Sequence, residues 1–165
     1  ANGTTGLSKG SITYDNNADT LAIETGGTQR IRIDSDGLKF GSDTAAADAL
    51  DDYEEGSWTP THGGQNMIGV AVFVKIGRFV HIQGDLTAHS SASSSAIIGG
   101  LPFTVASGKH SAWHVGYTNT ATGVQGGYIN ENSVIMYAIV PGETNTENIA
   151  AGERLIFTGS YDTAL

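Results

Sequence analysis

Few residues in this 165-residue chain have the types and spacing that catalysis needs. There is no cysteine, which excludes disulfides, thiolate metal sites and cysteine nucleophiles. The serine-rich run at 90–95 lacks the Gly-x-Ser-x-Gly turn of a hydrolase nucleophile, and no histidine or aspartate stands at a spacing that suggests a triad. We therefore expect an exposed, flexible loop at this run and no catalytic residue.

One segment resembles the start of a calcium-binding loop. Asp15, Asn17 and Asp19 match the spacing of the first ligands. However, Thr20 stands where the loop needs glycine, and Gly26 stands where it needs the bidentate glutamate. We interpret the segment as a hairpin turn.

The five histidines are the other candidate metal ligands. His110 and His114 would lie on one face of a strand about 13 Å apart, which is too far for one ion within one chain. We expect ordinary surface or half-buried imidazoles and predict no metal site and no cofactor. A site on a three-fold axis, with one histidine from each of three chains, is an open alternative for His62, His81, His89, His110 or His114.

The carboxylates are poorly placed for glycoside hydrolysis, which uses two acids close together. Those of the C-terminal part are widely spaced: Asp85, Glu131, Glu143, Glu147, Glu153 and Asp162. An acidic run lies upstream: Asp48, Asp51, Asp52, Glu54 and Glu55. We interpret this run as a solvated face and hinge rather than a catalytic pair or calcium site. We predict that the chain is not an enzyme.

The side chains best suited to recognition are aromatic rings, since Trp and Tyr stack on sugars and anchor interfaces. Trp113, Tyr117 and Tyr128 stand near polar groups that can bond hydroxyls, and the full candidate set is Trp113, Tyr117, Asn119, Tyr128, Asn130, Glu131 and Asn132. The alternative is that individual rings fill the core or a seam between chains. Trp58 is interpreted as a packing anchor.

Charge and hydropathy narrow the classes of partner. The net charge of -9 and only eight scattered Lys and Arg argue against nucleic-acid binding. No stretch approaches the roughly 20 apolar residues that span a bilayer, and the start lacks the pattern of a signal peptide. We expect a soluble fragment of something longer, without membrane insertion.

Residues 1–41 are predicted to form a four-strand β-meander. Apolar and polar residues alternate from Ser11 to Phe40, and segments rich in Asp, Asn and Gly separate the strands. Such a sheet presents one narrow apolar row and is marginal alone. Three copies facing a common axis would bury it in a trimeric prism. The predicted trimer core is Ile12, Leu21, Ile23, Ile31, Ile33, Leu38 and Phe40.

The composition changes after the meander. Residues 42–56 are predicted to contain a short helix of two or three turns, from Ser42 to Tyr53, acting as a hinge: an alanine-rich run follows a capping residue, and Gly56 ends it. Residues 57–165 carry about eight predicted strands, as in an antiparallel β-sandwich or jelly roll. In the first of these strands, one face carries Ile68, Val70, Val72, Val74 and Ile76. In the second, one face carries Val80, Ile82, Gly84 and Leu86. The overall prediction is an all-β fold.

Four segments carry a resemblance to a known family. The sequence GGTQRIRIDSDG at 26–37 resembles a repeat of bacteriophage tail fibres, and LDDYEEGSWTP at 50–60 resembles the shaft-to-head junction of such fibres. As in those proteins, KIGR at 75–78 and GLPFT at 100–104 follow. The resemblance covers most of the chain, and residues 110–147 match least well.

The resemblance implies a homotrimeric fibre tip on the virion, outside the host cell, joined to the rest of the fibre. Its head would contact a bacterial surface glycan or protein receptor without enzymatic activity. It supplies no catalytic residues, and a terminal helical chaperone, common in such fibres, is either absent or removed. The alternatives are a purely structural fibre or decoration element of the virion and, third, a polysaccharide depolymerase.

Overall fold

The computed structural model describes residues 9–46, 49–50, 52–140 and 146–163. Its regular elements over these residues are β-strands, which confirms the all-β class. The chain divides into two compact units, Ala1–Tyr53 and Glu54–Leu165. Within the described part, no helix has the length and apolar character needed to cross a membrane.

The N-terminal meander is a four-stranded antiparallel sheet in the order β1-β2-β3-β4. Its strands are β1 (Gly10–Asp15), β2 (Thr20–Thr25), β3 (Thr28–Asp34) and β4 (Gly37–Phe40). The first turn is held by the Asp15 carboxylate, which accepts the backbone N–H groups of Asn17 and Ala18 at 2.9 and 3.2 Å. Asp15 thus acts as a turn residue, as the hairpin interpretation predicts.

The strand register aligns the apolar residues of the meander across all four strands. One row is Ile12, Ile23, Ile31 and Phe40, and the second is Tyr14, Leu21, Ile33 and Leu38. The meander therefore has two apolar rows on one face, where the alternation predicted one. In the single chain, Ile12 is 74% exposed and Phe40 is 55% exposed.

The other face of the meander carries a buried ion-pair cluster. The Lys39 ammonium is fully buried and donates to Asp34 at 3.0 Å, to Asp36 at 2.6 Å and to the Thr44 carbonyl at 3.3 Å. Arg32 donates to Asp34 at 2.5 Å. The Arg32 and Lys39 hydrogen bonds lower the pKa of Asp34 to about 2, and Asp36 and Asp34 raise that of Lys39.

The segment after the meander corrects the helix prediction. Leu50 forms an antiparallel bridge with Leu38, and each backbone N–H donates to the other's carbonyl. By Tyr53 the chain is already in a strand. The backbone groups of Leu50 therefore form their hydrogen bonds with the edge of β4 and not within a helix. The predicted helix is wrong for the described residues. Residues 47, 48 and 51 lie outside them.

The C-terminal unit is built on one ten-stranded antiparallel sheet that curls like a half-barrel. Its order is β5-β8-β9-β14-β11-β12-β13-β10-β6-β7. The strands are β5 (Tyr53–Ser57), β6 (Thr61–His62), β7 (Gln65–Asn66), β8 (Ile68–Ile76), β9 (Phe79–Thr87), β10 (Ile97–Gly99), β11 (Ser111–Thr118), β12 (Gly126–Ile129), β13 (Ile135–Ile139) and β14 (Arg154–Asp162).

The curled sheet encloses a continuous apolar core. Ile82, Leu155 and Met136 are fully buried within it. Tyr161 is also buried and exchanges hydrogen bonds with the backbone of Phe103, and burial raises its pKa. This unit thus covers its main apolar face within one chain, unlike the meander.

The apolar residues predicted to share a face in β8 and those predicted to share a face in β9 lie on opposite faces of the sheet. Its two-residue turn pairs Lys75 with Val80, and Val80 is fully buried. Residues paired directly across two strands share a face, so Lys75 faces inward and Ile76 faces outward with Phe79. The alternating aliphatic residues of β8 therefore lie on the outer face.

Candidate functional site

Trp113 is a core residue and not a recognition residue. Its side chain is 1% exposed, its indole N–H donates to the Tyr137 carbonyl at 2.9 Å, and its ring packs edge-on against Phe157 at 5.6 Å. The sequence left this alternative open, and the structure corrects the assignment. The indole is held inside the sheet by Gly127, where a Cβ atom would lie 2.7 Å from the indole nitrogen.

Tyr128 lies on the outer face of β12. Its ring stacks on that of Tyr137 on β13, with centroids 4.9 Å apart and planes 20° apart. On the β11 side, His110 meets the same ring edge-on at 6.2 Å. The Tyr128 ring therefore contacts two other rings, and its hydroxyl is the polar group left to meet a ligand.

Two loops bring polar groups beside this pair of tyrosines. Glu131 lies 3.4 Å from the His110 ring nitrogen and also accepts the backbone N–H of Gly108. The Asn132 backbone adopts a positive φ of 51°, and its side chain donates to Ser107 at 3.3 Å. We call Tyr128, Tyr137, His110, Asn130 and Glu131 the tyrosine patch. Asn132 serves mainly to join the two loops.

Tyr117 reaches the outer face through a β-bulge in β11. The register slips between Val115 and Tyr117, so one extra residue, Gly116, reverses the alternation. Without that slip, Tyr117 would point inward like Trp113. The bulge was not visible in the alternation pattern, although a glycine at this point is its usual sequence signal.

A polar cluster surrounds Tyr117. The Arg154 guanidinium lies 5.6 Å from the Tyr117 ring centre and donates to both Asp85 oxygens at 2.7 and 2.6 Å. These hydrogen bonds lower the pKa of Asp85 and raise that of Arg154. The Asn119 side chain accepts the Arg154 backbone N–H at 2.6 Å, so it fixes the backbone of β14 and its oxygen is already engaged.

The two outward tyrosine sites are separate. Tyr128 pairs with Ala112 near the start of β11, whereas Tyr117 lies near its end. Five residues of extended strand correspond to about 16 Å. The structure therefore divides the predicted recognition set between two surfaces and adds Tyr137, His110 and Arg154, which sequence reasoning missed because their contacts depend on strand pairing.

The histidines are mostly engaged by their surroundings. His62 is buried, with its two ring nitrogens 3.0 Å from the carbonyl oxygens of Ile97 and Ile149, so it has no nitrogen available for a metal. His81 lies 3.1 Å from the Ser160 hydroxyl. The described residues contain no group of three or more His, Asp or Glu side chains arranged to hold a metal ion.

Comparison with known proteins yields no relative. No family model, no curated protein and no solved structure matches the chain.

Proposed function

We propose that this chain is the shaft-and-head tip of a bacteriophage tail fibre, which adheres without enzymatic activity to a bacterial surface receptor as a homotrimer. In this proposal the meander is the shaft, residues 42–56 are the hinge and the C-terminal unit is a jelly-roll-like head. The observation that carries it is the pair of apolar rows on the meander, in which a single chain leaves four of the eight side chains exposed and the other four half-buried.

The apolar rows favour copies of the same chain as partners. The eight side chains of the two rows form one apolar stripe, and three such stripes around an axis close a prism without leaving one open. Burying the exposed part of each side chain contributes roughly 1 kcal/mol at 25 cal/mol per Å². The ion-pair cluster on the other face keeps that face polar, so the sheet has one face to bury.

The outer face of the head offers two candidate receptor surfaces. The tyrosine patch presents two phenolic hydroxyls, an imidazole and a carboxylate, which together can donate to and accept from sugar hydroxyls. The second surface presents the half-exposed Tyr117 ring beside Arg154 and Asp85. We infer a glycan receptor as the best match. With three copies on one axis, several weak sites would bind at once, so the overall binding strength would exceed that of a single site.

A purely structural role in the virion is the second candidate. The observation that favours it is that Tyr137 stacks on the Tyr128 ring and His110 contacts the same ring, which reduces the ring surface available to a sugar. In that case, the patch stabilises the outer sheet and the head seals the end of the shaft.

Binding to host cells and to a glycan array tests the proposal. We expect the assembled wild-type protein to bind a defined set of glycans and to release no reducing sugar from them. Binding to neither glycans nor cells would favour the structural role. Reproducible sugar release that a single head substitution abolishes would contradict the non-enzymatic assignment.

A further inference from the structure

His62 is a buried ionisable side chain that neither candidate receptor surface uses. It is 2% exposed and pairs across β6 and β10 with the fully buried Ile98, so its ring points into the core of the C-terminal unit. Its Nδ1 lies 3.0 Å from the Ile97 carbonyl oxygen, and its Nε2 lies 3.0 Å from the Ile149 carbonyl oxygen. We call His62 with the Ile97 and Ile149 carbonyl groups the histidine clasp.

The two carbonyl groups determine which form of the ring fits the clasp. A carbonyl oxygen only accepts hydrogen bonds, and a neutral imidazole has one N–H donor and one nitrogen that accepts. In either neutral tautomer, one ring nitrogen would therefore direct its lone pair at a carbonyl oxygen 3.0 Å away. The imidazolium form has an N–H on each nitrogen, so it donates to both carbonyls, and its charge strengthens both hydrogen bonds. The clasp is thus satisfied only by a doubly protonated ring.

The elements packed around the ring add little charge of their own. Strands β6, β7 and β10 contain no ionisable residue besides His62, and the ionisable residue of β13, Tyr137, lies on the outer face. The segments that bond to the clasp and to the turn of its hairpin contribute Glu147 and His89. Burial disfavours a charged ring, so the imidazolium persists only while both carbonyl groups are engaged.

The clasp lies where the sheet is joined by few backbone pairs. Strands β6 and β7 are two residues long each, and their hairpin forms one end of the ten-stranded sheet. In the described part of the chain, β6 pairs with β10 only at Ile98 and Gly99, and the Ser93 backbone N–H donates to the Gly63 carbonyl in the hairpin turn at 3.0 Å. A short edge hairpin of this kind opens locally more easily than the centre of a sheet.

We propose that the histidine clasp makes the attachment of the β6–β7 hairpin depend on pH. In acid, the doubly protonated ring joins β10 to the segment at Ile149 and holds the hairpin in the sheet. Histidine ordinarily changes charge between about pH 5 and pH 8. As the pH rises through this range, the ring loses one N–H, one nitrogen faces a carbonyl lone pair, and the hairpin opens more often. Opening uncovers Ile98 and the edge of β10. The clasp lies within one chain, so it depends neither on the candidate receptor surfaces nor on association of copies.

Amide hydrogen exchange of the full chain tests the dependence on pH. The reporters are the backbone N–H groups of Met67, which donates to the Pro60 carbonyl at 2.8 Å, and of Ser93. After correction for the intrinsic effect of pH on exchange, we expect their protection to fall at least about tenfold between about pH 5.5 and pH 8. The amides of β9 and β14, in the middle of the same sheet, should keep their protection.

Two substitutions assign the effect to one ring. His62→Gln keeps a side-chain N–H donor but removes the titrating group, so the protection of both reporters should no longer change with pH. His89→Gln is the matched control, because the His89 ring nitrogen accepts the Ser91 backbone N–H at 3.1 Å in the loop beside the hairpin. This control should behave like the wild type. Protection that is independent of pH in the wild type, or a pH dependence that survives in His62→Gln, would overturn the inference, and its loss in His89→Gln would assign the effect to that histidine instead.

Nitrogen-15 NMR of the histidine rings counts the protons on His62 without any substitution. At about pH 5.5 we expect one buried ring with an N–H on each nitrogen, both exchanging slowly with water, and one of the two should be lost by about pH 8. A buried ring with a single N–H over the whole range would be a neutral tautomer. That result would overturn the proposal even if His62→Gln failed to fold.

Discussion

The C-terminal unit buries most of its apolar residues within one chain, whereas the meander leaves one apolar face without cover from its own chain. In the C-terminal unit, the sheet curls around Trp113 and its neighbours, so one chain covers its own main apolar face. In the meander, four strands align eight apolar side chains, of which four are exposed and four half-buried, while the polar face holds a buried lysine. The same alternation of apolar and polar residues therefore produces a self-contained core in one unit and an uncovered face in the other.

Alternation of apolar and polar residues thus identifies which residues share a face, but not whether the same chain or another chain covers that face. Strand β8 makes the same point within the C-terminal unit, since its aliphatic residues point away from the core and its lysine points towards it. Whether a face is covered by the same chain depends on sheet curvature and on pairing between strands distant in sequence. The contrast can be tested by substitutions that affect one unit and leave the other intact.

The largest effect is expected from charging the centre of the meander's apolar face. Ile31→Asp would bury three unpaired carboxylates together in the proposed prism, at a cost of several kcal/mol each. We expect loss of assembly with the C-terminal unit still folded. The matched control is Thr13→Asp, an exposed position on the polar face of the same sheet, which should assemble normally. Failure of both variants, or of neither, would contradict the assignment of the buried face.

The next effect is expected from emptying the core of the other unit. Trp113→Ala removes a side chain that is 1% exposed and leaves a cavity, which should lower the free energy of unfolding of the C-terminal unit by about 3–5 kcal/mol. Chemical denaturation followed by near-UV circular dichroism measures this change. Tyr117→Ala, at a half-exposed position, is the control and should cost far less. Equal losses would contradict the core assignment.

A smaller effect is expected at the candidate receptor surfaces. Truncating Tyr128 or Tyr117 to Ala should weaken binding to cells or glycans by roughly 1–2 kcal/mol, which is five- to thirty-fold in affinity. The assembled mass should not change. Asn66→Ala, at an exposed position of β7 on the far edge of the same sheet, is the control. If both tyrosine variants bind like the wild type, the receptor surface lies elsewhere on the molecule.

The smallest effect concerns acid stability of the meander. The pKa of Asp34 is lowered from 3.8 to about 2, so its stabilising contribution is present above its unfolded pKa and is lost as the pH falls from about 4 through 2. Unfolding midpoints measured between pH 6 and pH 2 should decline in this window. Asp34→Asn should be less stable at pH 6 and should show a shallower decline. A variant curve parallel to that of the wild type would contradict the role of this carboxylate.

The sequence predicts much of the fold because its strongest signals are local. The meander strands and their turns follow from the alternation of apolar and polar residues and from the positions of Gly and Asp. The turn at Asp15 could be recognised as a hairpin turn because Thr20 and Gly26 occupy the positions where a calcium loop needs glycine and glutamate. The helix at 42–56 fails because alanine propensity is weaker than pairing of Leu50 with the β4 edge. The candidate site was less predictable. The register between strands distant in sequence places Trp113 inward and stacks Tyr128 on Tyr137. Tyr117 points outward because of the bulge in β11, which the period of the apolar residues does not reveal.

We propose that copies of the same chain cover the meander's apolar face. Sedimentation equilibrium of the full chain at micromolar concentration tests it most directly. We expect a single species with a mass near three chains, which shifts to one chain in Ile31→Asp. A wild-type protein that sediments as a monodisperse monomer would contradict it.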